Sequence, residues 1–250
     1  VEDRKLTVRA VERALDILLC FTQDNDDYDL SLTEISAKIG LHKSTVHRLL
    51  TTLEEKGFLQ RDDGTDKYRL GIRIWELSTH LPTLNEPAVL LLPAMERLRD
   101  RLGETVSLYL RDNLERVRIQ AVQSRQAIRR VAQIGARLPL SVGASSKVLA
   151  AYAPPEVQVR LLADPAWPDS VDRSLYLEQL KEITRCGYAT SFEEREPGAA
   201  AVAVPIAGRA GGVVAALSLS GPVSRLSRET LEEYAVILAE AAAEMGLMMS

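Results

Sequence analysis

The chain is poor in the side chains on which most metal and covalent chemistry depends. Its 250 residues include two cysteines and three histidines. Cys20 and Cys186 lie far apart within apolar patterns. They offer no zinc-ligand spacing and little reason for a disulfide, which suits a reducing cytoplasm. All three histidines, His42, His47 and His80, fall early, and none follows residue 80. Long apolar runs are missing too. No stretch approaches the ~20 residues of a membrane span, so no membrane partner is expected. The opening "VEDRKLTVRAVERAL" carries charges throughout instead of the apolar centre of a signal peptide. An excess of positive charge is also absent. With 31 Lys+Arg against 35 Asp+Glu the formal charge is −4, and nothing global points to nucleic acid or to a membrane surface. There is no internal repeat and no low-complexity tract. What remains, 46% hydrophobic and 26% charged, is ordinary globular composition, at a length that holds one large domain or two ordinary ones.

Several segments have clear local signals. Residues 7–22, "TVRAVERALDILLCFT", place Val8, Val11, Leu15, Leu18 and Leu19 at helical spacing. Polar turn formers in "QDNDDYD" end that pattern. Ser31 and Glu34 have the S-x-x-E form of a capping box, and the helix they open stops at Gly40. A second helix is expected from about Lys43 to Lys56. "FLQRDDGTDKYRL" then reads as a hairpin around Asp-Gly-Thr-Asp, and residues 71–80 return to a helical pattern. "LPTLNEP", with Pro82 and Pro87, is the best candidate for a domain boundary. Beyond it, residues 88–102 form an amphipathic helix, and alternation on both sides of Asp112-Asn113 gives a hairpin. "AIRRVAQIGARLPL" reads as a strand followed by a loop. "GASSKVLAAYA" begins a helix and "LYLEQLKEITRCGYA" is another. "AAAVAVPIAG" and "GGVVAALSLSGP" form a hairpin, and the chain closes on a long helix with Ser227 and Glu229 near its start. Helices alternating with hairpins give an α+β domain with an antiparallel sheet.

The most informative stretch is "SLTEISAKIGLHKSTVHRLLTTLEEKG", residues 31–57, in which no carboxylate occurs between Glu34 and Glu54. Two helices joined by a short Gly-containing turn are the pattern of a helix-turn-helix. In the second helix Val46, Leu49, Leu50 and Leu53 share one face. Ser44, Arg48 and Thr51 point the other way, flanked by Thr45, His47 and Thr52. Lys43 precedes them. The first turns of a recognition helix meet base edges in the major groove, where hydroxyls and an arginine can donate and a carboxylate would repel phosphate. The hairpin adds Arg61, Lys67 and Arg69, placed as a wing places them along the backbone. Residues 1–80 hold 12 Lys+Arg and 15 Asp+Glu, so DNA contact has to come from this local patch.

The C-terminal part offers little chemistry. Ser145 and Ser146 stand beside Lys147, yet the spacing is not S-x-x-K and no histidine is near. Capping serines and a lysine paired to a carboxylate or carbonyl describe this stretch better. Glu193, Glu194 and Glu196 read as a solvated loop. "GRAGG" lacks the strand-turn-helix setting of a nucleotide loop. No cofactor and no metal is expected. Ala199, Ala201 and Ser218 are small residues within apolar strands, where they leave space for a ligand.

Taken in order, "LSLTEISAKIGLHKSTVHRLLTTLEEKGFLQRDDGTDKYRLGIRIWELS", "LPLSVGASSKVLAAY", "GYATSFEEREPGAAAVAVPI" and "VVAALSLSGPVSRLS" give a chain that resembles the IclR family of bacterial transcription regulators over nearly its whole length. The resemblance implies an N-terminal winged helix-turn-helix domain (1–70), a linker helix and hinge (71–85), and a C-terminal GAF-like α+β domain with an antiparallel sheet (86–250) that binds an effector and oligomerises. It implies homodimers, often paired into tetramers, on palindromic double-stranded operator DNA. By position it also implies an effector site lined by Leu138, Ala144, Ser145, Ser191, Ala199, Ala201 and Ser218. Ser191 stands where some members have aspartate and Ala201 where some have cysteine. The helix start near Ser145 suits a carboxylate, so a small carboxylate or an aromatic compound is the expected ligand. Strand parity leaves open which way Arg129 and Arg130 face. An enzyme fused to a helix-turn-helix, or a winged domain that binds a protein partner, are the competing expectations.

Overall fold

The structure, a computed structural model, describes residues 7–22, 29–80, 87–129, 131 and 133–249. The chain divides into two compact units, Val1–Asn85 and Glu86–Ser250. The segment 81–86, which holds most of the proline-marked boundary and the end of the expected linker, lies outside the described residues, as does most of "QDNDDYD".

The first unit is built from helices α1 (Arg9–Leu19), α2 (Leu32–Ile39), α3 (Lys43–Glu55) and α4 (Ile72–Ser78), with short strands β1 (Leu30–Ser31), β2 (Leu59–Arg61) and β3 (Lys67–Leu70) in the antiparallel order β1-β3-β2. The capping box forms as the residues dictate. Ser31 Oγ accepts from the Glu34 N–H while the Glu34 carboxylate accepts from the Ser31 N–H at 2.7 Å. Gly40 closes α2 at φ +65°, a conformation that glycine adopts without strain, and the chain turns directly into α3. Ile17, Leu30, Ile35, Val46, Leu50, Leu53, Leu59 and Tyr68 form the core. α1 departs from the simplest reading of its periodicity. Ile17 is buried, whereas Val8, Val11, Leu15 and Leu19 form an exposed stripe. Periodicity marks a face, not what covers it. β1 had no signal in the sequence because two residues are too few to alternate.

The second unit contains a six-stranded antiparallel sheet, ordered β6-β5-β4-β9-β8-β7. Its strands are β4 (Thr105–Asp112), β5 (Glu115–Val122), β6 (Arg137–Pro139), β7 (Ala189–Phe192), β8 (Ala199–Ala207) and β9 (Val213–Pro222). The helices are α5 (Leu92–Leu102), α6 (Ala144–Ala151), α7 (Pro155–Leu162), α8 (Arg173–Cys186) and α9 (Arg228–Met248). The helix expected over 88–102 is instead a helical turn at 87–90, a break at Leu91 and then α5. Pro93 has no N–H to continue the ladder across that junction. The strand expected in "AIRRVAQIGARLPL" lies at its far end, as β6. Its earlier described residues form none, and Arg130 and Ala132 are outside the described set. The β4–β5 turn is Asn113-Leu114, with Asp112 paired to Glu115. α7 and β7 had no counterpart in the sequence reading. α7 starts on the Pro154-Pro155 pair, and β7 is a four-residue edge strand. No helix among the described residues is long and apolar enough to cross a membrane.

The two faces of this sheet differ in kind. Val106, Leu108, Val202, Val204, Ile206, Leu217 and Leu219 face α5 and α9 and form the larger core. The alternate positions include Ala203, Ala216 and Tyr109, which pack with α6 and α8. Period-two alternation therefore assigns bulky aliphatics to one side of β8 and β9 and small residues to the other.

Candidate functional site

In the first unit the outward face of α3 presents the expected residues. Lys43, Ser44, His47, Arg48 and Thr51 are exposed, and Thr45 is half-buried. His42 is the N-cap, its Nδ1 accepting from the Ser44 N–H, with Ser44 Oγ 2.8 Å away. The first turn of α3 carries no acid, so the positive end of the helix is left for an anion. Two hydroxyls are less available than their residue type suggests. Thr51 Oγ1 donates to His47 O and Thr52 Oγ1 to Arg48 O, each at 3.0 Å. Each spends its proton on its own helix and offers a methyl group and lone pairs outward.

The wing is similarly self-engaged. Arg61 pairs with Asp66 and Arg69 with Asp62, both at 2.8 Å. Asp62 also accepts from the N–H groups of Gly64 and Thr65, which with Arg69 hold its carboxyl below the usual range. Both pairs face solvent, where ion pairs are weak, so a phosphate can replace the carboxylates. Lys67 is half-buried on β3 opposite Ser31.

In the second unit six of the seven expected effector residues line one cavity. Ala144 and Ser145 come from the start of α6, Ser191 from β7, Ala199 and Ala201 from β8, and Ser218 from β9. The cavity is open to solvent on one side. Leu138 is not on its wall. It sits on β6 directly opposite Arg116 and packs with the α6–α8 core. Arg129 is exposed and donates to Gln123 and Gln126, away from the cavity. Arg130 is outside the described residues.

The cations on the wall are Arg116 and Arg195, neither singled out by the sequence reading. A signal existed. In "ERVRIQAV" Arg116 and Arg118 alternate with Val117 and Ile119, and such alternation normally turns arginines to solvent. Here both arginines are buried, because the loop into α6 covers that face. Arg116 Nη1 donates to Ser146 Oγ at 2.7 Å, and Ser146 donates to Pro139 O. The serines thus do not cap α6. Gly143 is its N-cap and the helix has no side-chain cap. The Gly143 N–H instead donates to Glu194 at 3.2 Å, while Lys147, buried, pairs with the same carboxylate at 2.6 Å. Glu194 is nonetheless an exposed loop residue, as expected, and it is Glu196 of the same loop that lines the cavity. Tyr176 donates to Leu140 O and steadies the loop before α6. Burial first, and the charge of Glu194 second, push its hydroxyl pKa up. Among the described residues no group of histidine, cysteine and acids could hold a metal.

A winged helix-turn-helix unit followed by an α+β unit with a sheet-bounded cavity defines a class of DNA-binding regulator. Two family models match in that order: the IclR helix-turn-helix domain over residues 10–63 and the bacterial transcriptional regulator IclR C-terminal domain over 88–246. The chain belongs to the IclR family. It is 33% identical to the HTH-type transcriptional regulator XynR of Escherichia coli over 251 positions, covering 97% of this chain and 96% of that protein. It is also 33% identical to the glycerol operon regulatory protein of Streptomyces coelicolor, covering 89% and 88% of the two chains. Among solved structures it is similar to an IclR homologue of Microbacterium hydrocarbonoxydans complexed with 4-hydroxybenzoate. The identity is 28%, the TM-score is 0.82, and 96% of this chain and 98% of that one are covered. The protein is a helix-turn-helix transcriptional regulator and not an enzyme.

Proposed function

We propose that residues 1–70 bind a palindromic operator as part of a homodimer. Residues 71–85 form the linker and hinge. Residues 86–250 bind a small carboxylate in the sheet cavity and join dimers into a dimer of dimers. The observation that carries the sensing half is the convergence of Ala144, Ser145, Ser191, Ala199, Ala201 and Ser218 on one cavity beside an uncapped helix start. The relative complexed with 4-hydroxybenzoate supports a carboxylate-bearing ligand. The DNA-reading half rests on the acid-free outward face of α3, with Arg48, Ser44 and His47 foremost and Lys43, Thr45 and Thr51 around them. Arg61, Lys67 and Arg69 track the backbone. Self-association is supported by the exposed stripe on α1 and by exposed Ile72 and Trp75 on α4, apolar surface that a second copy would cover.

The ligand acts only if it binds two arrangements of the dimer with different affinity. Gel retardation on DNA upstream of the protein's own gene, with and without small acids, tests this reading. Salt-sensitive, sequence-specific retardation that a small acid alters is expected. Retardation blind to every acid would sink the sensing half, and no retardation at all would sink the DNA half.

A further inference from the structure

The turn between α2 and α3 sets a polarity on the DNA-reading face. His42 caps α3 with its ring. The Ser44 N–H donates to Nδ1 at 3.4 Å, and Ser44 Oγ lies 2.8 Å from the same nitrogen. These two contacts fix where the protons are. A backbone N–H can only donate, so Nδ1 is the unprotonated ring nitrogen and Nε2 carries the proton. An unprotonated nitrogen offers only its lone pair, so the Ser44 hydroxyl is the donor in the second contact as well. The single proton of Ser44 is thus spent inside the protein. Both residues are exposed, and the serine oxygen presents its lone pairs outward.

The hydroxyls further along the face behave alike. Thr51 Oγ1 and Thr52 Oγ1 give their protons to His47 O and Arg48 O. On this face the hydroxyls accept, and donation is left to Lys43 and Arg48. The difference decides what can be read. A serine with a free proton serves any base edge, as donor or as acceptor. An acceptor alone is met in the major groove only by amino groups, adenine N6 and cytosine N4. Guanine O6 and N7 and thymine O4 offer it nothing but further lone pairs.

We infer that His42 is a specificity-determining residue of DNA recognition that acts through Ser44. By taking the hydroxyl proton it turns Ser44 from a reader of any base into a reader of amino bases, adenine or cytosine on the strand that faces α3. His42 is a positioning residue in this scheme, since the atom that meets the base belongs to Ser44. The inference rests on the DNA-reading role of α3 and narrows it.

The test is selection of the full chain's targets from a pool of random double-stranded DNA, followed by binding curves on the selected sequence. Ser44→Ala should flatten the preference at one position, which marks the base that Ser44 meets. There the parent should favour adenine and cytosine on one strand about fivefold over guanine and thymine. His42→Gly should relax that preference, because glycine is a tolerable N-cap but takes no hydroxyl proton. His42→Asn, whose side-chain oxygen can accept as Nδ1 does, should restore it. In the Ser44→Ala background, His42→Gly should change nothing further at that position. A duplex whose marked adenine is replaced by purine, or whose marked cytosine is replaced by pyrimidin-2-one, lacks the amino group and should bind the parent about fivefold more weakly. That comparison needs no His42 variant, so it decides the matter even if His42→Gly does not fold. The proposal is overturned if the amino-free duplex binds as tightly as the natural one, or if His42→Gly keeps the preference. It is equally overturned if His42→Asn fails to restore a preference that His42→Gly has lost, or if Ser44→Ala alters no position; each of these leaves α3 as the reading helix. A full chain that selects no sequence at all would instead sink the DNA-reading role, and this inference with it.

Discussion

Arg48 projects from α3 opposite Val46, Leu50 and Leu53, which are buried, so its side chain can be removed without disturbing the core. Arg48→Ala is expected to weaken operator binding. If the guanidinium reads a guanine edge, the loss is about 1–3 kcal/mol and confined to the specific site. If it meets only phosphate, affinity falls on every sequence and the salt slope drops by about one. Binding curves on operator and scrambled DNA at several salt concentrations separate the two cases. A folded variant that binds as tightly as the parent would remove α3 from the groove. Arg61 calls for the opposite experiment, because Asp66 already holds it. Asp66→Asn keeps the shape of the turn, releases the guanidinium and should raise affinity for any DNA while steepening the salt dependence. An unchanged slope would mean that Arg61 does not approach the backbone. At this scale the sequence was only partly legible. Residue type placed the outward face of α3 well, but it could not show that the threonine hydroxyls back-bond to the helix or that the wing arginines have internal partners. Both depend on local geometry.

Among the elements, α2 owes its start to two residues. The Ser31 hydroxyl, and then the Ser31 N–H, hold the Glu34 carboxyl below its ordinary range. Because the folded-state pKa is depressed, this contribution is present above the unfolded carboxylate pKa and fades as pH falls through the folded value. Ser31→Ala should return the Glu34 titration, followed by NMR, toward the ordinary range and destabilise the unit by about 1 kcal/mol. A titration that does not move would mean that the box is not formed in solution. In the second unit β9 crosses closely over Glu104. A Cβ on Gly221 would come within 2.4 Å of the Glu104 carboxylate, which is buried and paired with Arg225. Gly221→Ala should lower the melting temperature by several degrees, whereas Gly212→Ala, where a Cβ meets nothing within 4 Å, should leave it nearly unchanged. Equal melting of the two variants would contradict the packing. Long periodic elements such as α3, α8, β8, β9 and α9 were readable because each repeats its signal several times. β1, β6 and β7 were not, since strands of two to four residues carry too little alternation and exist only because a longer neighbour pairs with them.

For the molecule as a whole, the division at Asn85/Glu86 leaves each unit with a core of its own. Residues 86–250, expressed alone, should therefore unfold cooperatively and keep the ligand affinity of the full chain. Calorimetric melting and titration of that fragment check this, and a fragment without a cooperative transition would show that its core needs the first unit. The family and its two-part plan were legible because spaced motifs run along nearly the entire chain. The cationic half of the cavity was not, because a buried arginine and a solvated one look alike in a strand until the covering loop is placed. The two-sided sheet has a further consequence. Valines, leucines and isoleucines on the α5–α9 side hold β8 and β9 in place, so Ala199, Ala201, Ser218 and Ser220 on the other side contribute little to holding them. Recognition in this scaffold can therefore drift while the fold stands still. A library randomised at those four positions should keep its melting temperature far more often than its ligand preference, and one randomised at Val202, Val204, Leu217 and Leu219 should lose both together.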